Sequence, residues 1–362
     1  MQEQSGAKAA EKVRLTLSSQ AERYARRDAP REARLMAARG ALPLPPLELA
    51  TVLFALMHDP DAEVKSTARE SLEALPASVI DPVLSGPAHP AILSHFAHAF
   101  REDEGPCEKL ALNPATDDDT IAFLAALPFK RVVDIASNNQ ERMLRAPQIV
   151  EALGSNPLTG RAVIDRILSF LGMEQPTEDG EPGQEDGPVS ESAAEAALRA
   201  VLGDDLGEFA SALVHEGDGD PGEDDATNLH ALIQQMSVFQ KVKLARLGNK
   251  EARGLLVRDR NKVVAVASIS SPKISDSEVV AVAGSRNVCD EVLRIISNNR
   301  QWTRNYQVKL ALSSNPRTPQ PTAMKFVNFL QDNDLRHMMK SKDVPSAVSM
   351  HARRILTKRG KI

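Results

Sequence analysis

The chain reads as all-α: a solenoid of stacked helix pairs, in two arrays joined by an acidic, disordered linker. Three observations predict this. First, residues 132–171 and 292–330 are two copies of one pattern. Val-Val-Asp-Ile-Ala-Ser-Asn-Asn (132–139) returns as Val-Leu-Arg-Ile-Ile-Ser-Asn-Asn (292–299). Gln148, Ala152, Leu153, Ser155, Asn156, Pro157 and Thr159 return as Gln307, Ala311, Leu312, Ser314, Asn315, Pro316 and Thr318. Self-similarity of this kind marks units that each bury a face on the next. Second, 42% of the 362 residues are hydrophobic but only 4% are aromatic, which leaves a core rich in Ala and Leu, good helix formers. Third, the tetrapeptide Asn-Pro-x-Thr stands at 113–116, 156–159 and 315–318. Asn tolerates the left-handed turn that ends a helix, Pro cannot continue that helix, and Thr caps the next, so the motif predicts a helix–turn–helix hinge.

The elements follow in order. Residues 1–20 are polar and predict a frayed start. Residues 21–40 predict one charged helix closed by Gly40, and Pro45-Pro46 opens an apolar helix over 47–57. The run from Asp61 has Val64, Ala68, Leu72 and Leu75 at helical spacing, with Asp59 or Asp61 as its cap. A weaker hinge, Ser271-Pro-Lys-Ile, precedes Ser275-Asp-Ser-Glu278, a capping-box pattern. The steps from 113 to 156 and from 271 to 315 are 43 and 44 residues, within the range of HEAT-type repeats. The N-terminal array is therefore expected over 21–172 and a C-terminal array over 227–357, with a basic tail at 358–362.

Between the arrays, 173–190 has linker composition and too little apolar surface to order itself. Residues 191–214 regain a stripe of Leu198, Leu202, Leu206, Phe209 and Leu213, weakened by Gly203 and Gly207, which predicts a helix that docks on something else. A second acidic stretch runs over 216–225. Charge divides along the same lines. Residues 171–225 carry a net charge of −16, residues 226–362 carry +15, and the whole chain carries −5. The expectation is an acidic tether, 173–226, beside a basic module.

Several chemistries lack their motifs. Asp218-x-Asp220 suggests calcium, but Gly222, Pro221 and Leu229 spoil the EF-hand pattern. His95-x-x-His98 is the one close histidine pair, and no Cys or carboxylate cluster completes a zinc site around it. No phosphate-binding glycine loop and no nucleophile elbow is present; Gly248-Asn-Lys-Glu-Ala-Arg253-Gly reads as a helix stop followed by a new start. Cys107 and Cys289 form no disulfide framework, which suits a reducing cytoplasm. No signal peptide or membrane-length apolar run is seen. No cofactor, metal, catalytic residue or small-molecule substrate is expected, and no membrane partner.

The candidate surface is the stretch Arg300, Trp302, Arg304, Tyr306 and Lys309, extended by Arg317 and by Arg353 and Arg354 near the C-terminus. It holds the only Trp and interleaves aromatics with cations, which can stack bases and hold phosphates or anchor a protein. Alternatively Trp302 and Tyr306 staple neighbouring helices while the cations face water.

The runs from Gln235 to Ala245 and from Gly248 to Asp259, with the Asn-Pro-x-Thr hinges, resemble a deltaproteobacterial, often myxobacterial, family of helical-repeat proteins. The hinges and Asp59-Pro-Asp-Ala-Glu-Val are also similar to HEAT and leucine-rich-repeat-variant units. The resemblance covers about 40–172 and 229–357 and implies a repeat architecture, with no activity or site residue attached. The chain departs from that pattern at Arg260-Asn-Lys, where such repeats tend to have Pro, and at Ser271-Pro-Lys-Ile.

The functional expectation is a non-catalytic, cytoplasmic scaffold that binds a protein partner through its repeat surface. The alternative is nucleic-acid binding by the basic C-terminal array, autoinhibited by the acidic linker; its enzymatic version, a HEAT-like DNA glycosylase, lacks a nominated carboxylate. A third expectation is regulation by modification of Ser190 or Ser192.

Overall fold

A computed structural model describes residues 15–172, 191–207, 209–215 and 223–361. Every regular element among them is helical, with no strand. Contacts divide the chain into two compact units, Met1–Arg142 and Met143–Ile362.

The first unit holds α1 (Ser19–Ala25), α2 (Arg31–Ala38), α3 (Pro46–Leu56), α4 (Ala62–Glu73) and α5 (Ala77–Ser85). It continues with α6 (Pro90–Ala99), α7 (Glu104–Leu112), α8 (Asp118–Ala126) and α9 (Lys130–Asn138), and ends inside α10 (Gln140–Arg145). The single charged helix expected over 21–40 is instead two. Pro30 breaks it, because its ring fixes φ and supplies no N–H, and it serves as the N-cap of α2. The apolar helix starts with Pro46 at its first position, where a missing N–H costs nothing, and buries seven of its eleven residues. In α4 the Asp61 carboxylate accepts from the N–H groups of Glu63 and Val64, while Val64, Ala68 and Leu72 turn inward and Leu75 stays half-buried. Helices two apart in sequence lie side by side: α1 on α3, α3 on α5, α5 on α7, α7 on α9, with α2 on α4 and α6 on α8.

The second unit begins with α11 (Pro147–Ser155) and α12 (Arg161–Phe170), then α13 (Glu191–Gly207), α14 (Ala210–Val214) and α15 (Glu223–Gln235). There follow α16 (Val238–Leu247), α17 (Lys250–Leu256), α18 (Lys262–Ile269), α19 (Asp276–Gly284) and α20 (Asp290–Asn298). A 3-10 turn at Trp302–Arg304 leads to α21 (Tyr306–Ser314), α22 (Gln320–Val327), α23 (Asp332–Lys340) and α24 (Ser346–Lys358). The expected linker 173–190 and most of the second acidic stretch lie outside the described residues. The helices on either side of 173–190 belong to one body: α11 packs on α16 and α18, and α12 on α18.

Part of the stripe over 191–214 is buried. Leu198, Leu202 and Leu213 are buried, α13 packs on α16, and Phe209 faces water; the Leu206 side chain lies outside the described residues. Gly203 kinks α13 at φ 76°, in the left-handed region that a Cβ disfavours. Further on, α16, α18 and α20 form one row of neighbours and α17, α19 and α21 another. The end of the unit is closed by a cluster of Val327, Leu330, Leu335, Met338, Val348, Ala352 and Leu356, with Tyr306 and Leu310 against it.

Candidate interaction surface

The hinges stand where the sequence places them, but two of their residues work differently. Asn113, Asn156 and Asn315 have φ of −75°, −73° and −79°, extended rather than left-handed backbone. Their value lies in the side chain. Asn113 Nδ2 donates to the carbonyls of Leu84 (2.7 Å) and Gly86 (2.8 Å), at the end of the neighbouring α5, while its Oδ1 accepts from Ala115 N. Asn315 repeats this on Ala283 and Ser285, both at 2.8 Å, with Arg317 N on its Oδ1. Asn249 does the same outside the motif, reaching Ala212 O (3.0 Å) and His215 O (3.1 Å) at the end of α14. A carboxamide alone among short side chains offers two donors to a pair of orphan helix-end carbonyls and an acceptor to its own turn.

Thr is the second correction, since it does not cap the following helix. Thr116 Oγ1 donates back to Leu110 O at 2.7 Å and Thr159 Oγ1 to Leu153 O at 2.6 Å. The N-caps are Asp117, Gly160 and Pro319. The weaker hinge does the same work with other residues. Ser271 Oγ reaches Arg246 O (3.4 Å), Lys273 Nζ reaches Leu247 O (3.2 Å), and the capping box of Ser275 and Glu278 forms as expected.

Cations cover the hinge carbonyls from the outside. Arg142 donates to the carbonyls of Thr116 (2.6 Å) and Pro114 (3.0 Å). Lys262 holds those of Asn156 (3.2 Å), Pro157 (3.1 Å) and Thr159 (3.4 Å), more than a hundred residues away in sequence. Asn261 beside it caps α18 and lies on Gly154, where a Cβ would sit 2.0 Å from Asn261 Oδ1. The departure Arg260-Asn-Lys is therefore the place where α11 is joined to α18.

A buried ion pair escaped the sequence reading. Arg253, 2% exposed, donates through Nε (3.0 Å) and Nη2 (3.2 Å) to the Glu278 carboxylate and through Nη1 to Gly248 O (2.8 Å). Burial pushes the Glu278 carboxyl upward, but the Arg253 guanidinium and the Ser275 hydroxyl and N–H outweigh it and hold it below the usual carboxylate range. Gly248 and Asn249 end one helix and start the next, as expected of that segment.

The candidate residues separate into two kinds. Tyr306 is a staple: its hydroxyl donates to the Asp334 carboxylate and accepts from Gln331 N at 3.0 Å, tying α21 to α23. Burial, with Asp334 adding to it, raises its pKa. Trp302 is half-buried in the 3-10 turn, and Lys309 lies 5.6 Å from the Phe329 ring centroid. Arg300, Arg304, Arg353 and Arg354 are exposed, and Arg317 pairs with Asp290 at 3.8 Å. Arg353 and Arg354 stand on α24, which packs on α22 and α23 rather than beside the 302–304 turn.

The other motifs resolve as packing. His95 contacts the Phe54 and Phe96 rings and its pKa is lowered by burial, whereas His98 lies against Phe123. Among the described residues no three His, Cys, Asp or Glu side chains gather into a metal-holding group. Burial, with Asp103 adding to it, pushes the Cys107 thiol up to about 11, and burial also raises Cys289. Asp218, Asp220 and Ser190 lie outside the described residues, and Ser192 is exposed at the second position of α13. No described helix is long and apolar enough to cross a membrane. No protein-family model, curated protein or solved structure matches the chain.

Proposed function

We propose that the units are α-solenoids of HEAT-like repeats and that the chain is a non-catalytic scaffold holding a protein partner on its helical faces. One observation supports this above the others: the same asparagine bridge to a neighbouring helix end at 113, 249 and 315, each time closing a turn between consecutive helices. A device repeated along the chain propagates one packing geometry from pair to pair. Propagation of that kind within a unit builds a continuous helical face, which suits recognition of a macromolecule. The test is affinity capture with the full chain, followed by cross-linking mapped to residues. A reproducible partner cross-linked to exposed helix faces supports the reading. Failure to retain any specific protein over a range of salt and extract conditions would count decisively against it.

A further inference from the structure

Between Arg286 and Lys361 the chain carries fifteen Lys and Arg against five carboxylates. Four of those five are engaged by partners within the same stretch. Asp290 faces Arg317 (3.8 Å), Asp343 faces Arg286 (3.0 Å), Asp332 faces Arg359 (2.8 Å), and Asp334 takes the Tyr306 hydroxyl. Among the described residues, most cations of this stretch therefore have no carboxylate within ion-pair distance.

Helical geometry turns some of them outward. On α24 the buried residues are Val348, Ala352 and Leu356. At 100° per residue, Arg354 and Lys358 project from the opposite face, with Arg353 on its flank. On α22 the buried residues are Ala323, Phe326 and Val327, while Lys325 is exposed, with its Nζ 6.0 Å from the Phe326 ring centroid. These two helices pack on each other, and all four cations are exposed. The largest apolar side chain exposed on α24 is Met350.

Such a face is wrong for a tight protein interface, whose core is depleted of charge and centred on buried aromatic or aliphatic anchors. It is right for a polyelectrolyte. There the gain comes from release of condensed counterions as each phosphate is neutralised, and arginine's fork matches phosphate oxygens. We propose that the outward face of α22 and α24 binds the phosphate backbone of nucleic acid through Lys325, Arg353, Arg354 and Lys358, without reading bases. This stands apart from the protein-partner reading and can fail or hold independently of it.

The experiment is fluorescence anisotropy of the full chain with a labelled random-sequence DNA duplex of about 20 base pairs, repeated over a salt series. With roughly three to four phosphates neutralised, the log–log salt slope should be about −3, and duplexes of different sequence should bind alike. The triple variant Arg353→Glu, Arg354→Glu, Lys358→Glu should weaken binding at low salt by at least about tenfold and flatten the slope by about two to three. All three side chains are exposed, so helical content by circular dichroism should not change. The single variant Lys325→Glu should weaken binding by a smaller factor. The control Lys109→Glu in the first unit should leave it unchanged. Three results would overturn the proposal: no retention at low salt, a triple variant that binds like the parent, or tighter binding of poly-glutamate than of DNA at matched charge. The last would assign the face to an acidic protein.

Discussion

The first unit and the stretch from Arg286 onward are both built from short packed helices but pair their cations to different extents. In the first unit Arg34 meets Asp59, Lys109 meets Asp81 at 2.6 Å, Arg131 meets Glu108 at 3.2 Å and Arg142 meets Asp118 at 3.4 Å, each tying one helix or turn to another. In the C-terminal stretch the few carboxylates are consumed within the fold, and the surplus cations on α22 and α24 point to solvent. The lesson is that packing of short helices on one another tolerates either arrangement. Charge at outward positions is free to serve a ligand because the apolar stripe and the asparagine bridges already hold the helices.

That contrast can be broken most strongly where a charge is buried. Glu278→Ala leaves the Arg253 guanidinium without its partner in the interior, and about 3–5 kcal/mol of the second unit's stability should go. Urea unfolding followed through Trp302 fluorescence, the only tryptophan, reports that unit. The same pair predicts a pH dependence. The folded Glu278 pKa is depressed, so its contribution is fully present above the ordinary carboxylate pKa and is lost as pH falls through the lower folded value. An acid limb unchanged by Glu278→Gln would refute the assignment.

Next in size are the bridges. Asn315→Ala strands the carbonyls of Ala283 and Ser285 and should cost about 2–4 kcal/mol by the same measurement. Asn113→Ala should cost a similar amount in the first unit, read by hydrogen exchange of the α5 and α7 amides. A loss below about 0.5 kcal/mol at both would mean that water replaces the bridge.

Smaller again, Tyr306→Phe removes one hydroxyl shared by Asp334 and Gln331 and should cost about 1 kcal/mol. Smallest are the exposed cations. Arg354→Ala should shift stability by no more than about 0.5 kcal/mol, and Lys109→Ala by no more than about 1 kcal/mol with a salt dependence that Arg354→Ala lacks. If Arg354→Ala proved as costly as the bridge variants, the C-terminal cations would belong to the fold, and the difference between the two regions would vanish.

Much of the fold was legible along the chain. Helices such as α3 and α4 follow from apolar spacing, prolines and capping residues, all of which act within one or two turns. The break at Pro30 was equally legible and shows how a short charged run can pass for one helix. The hinge positions could be read, but not the use of their residues. The partners of Asn113 lie 27 and 29 residues back, and those of Asn315 lie 30 and 32 back. Of the candidate residues, Tyr306 belongs to the packing, while Arg353 and Arg354 share a helix with Lys358, whose outward position follows from helical spacing once α24 is known to reach it.

By itself, then, the order of residues determined an all-helical chain with recurring turns and a strongly basic final third, because local propensity and charge need no partner. Tertiary structure alone decided that Lys262 closes over the 156–159 turn, that Arg253 and Glu278 meet in the interior, and that Gly154 yields its space to Asn261. Those choices depend on which helix ends arrive side by side. That is settled by the packing of whole apolar faces, and no short window of sequence contains it.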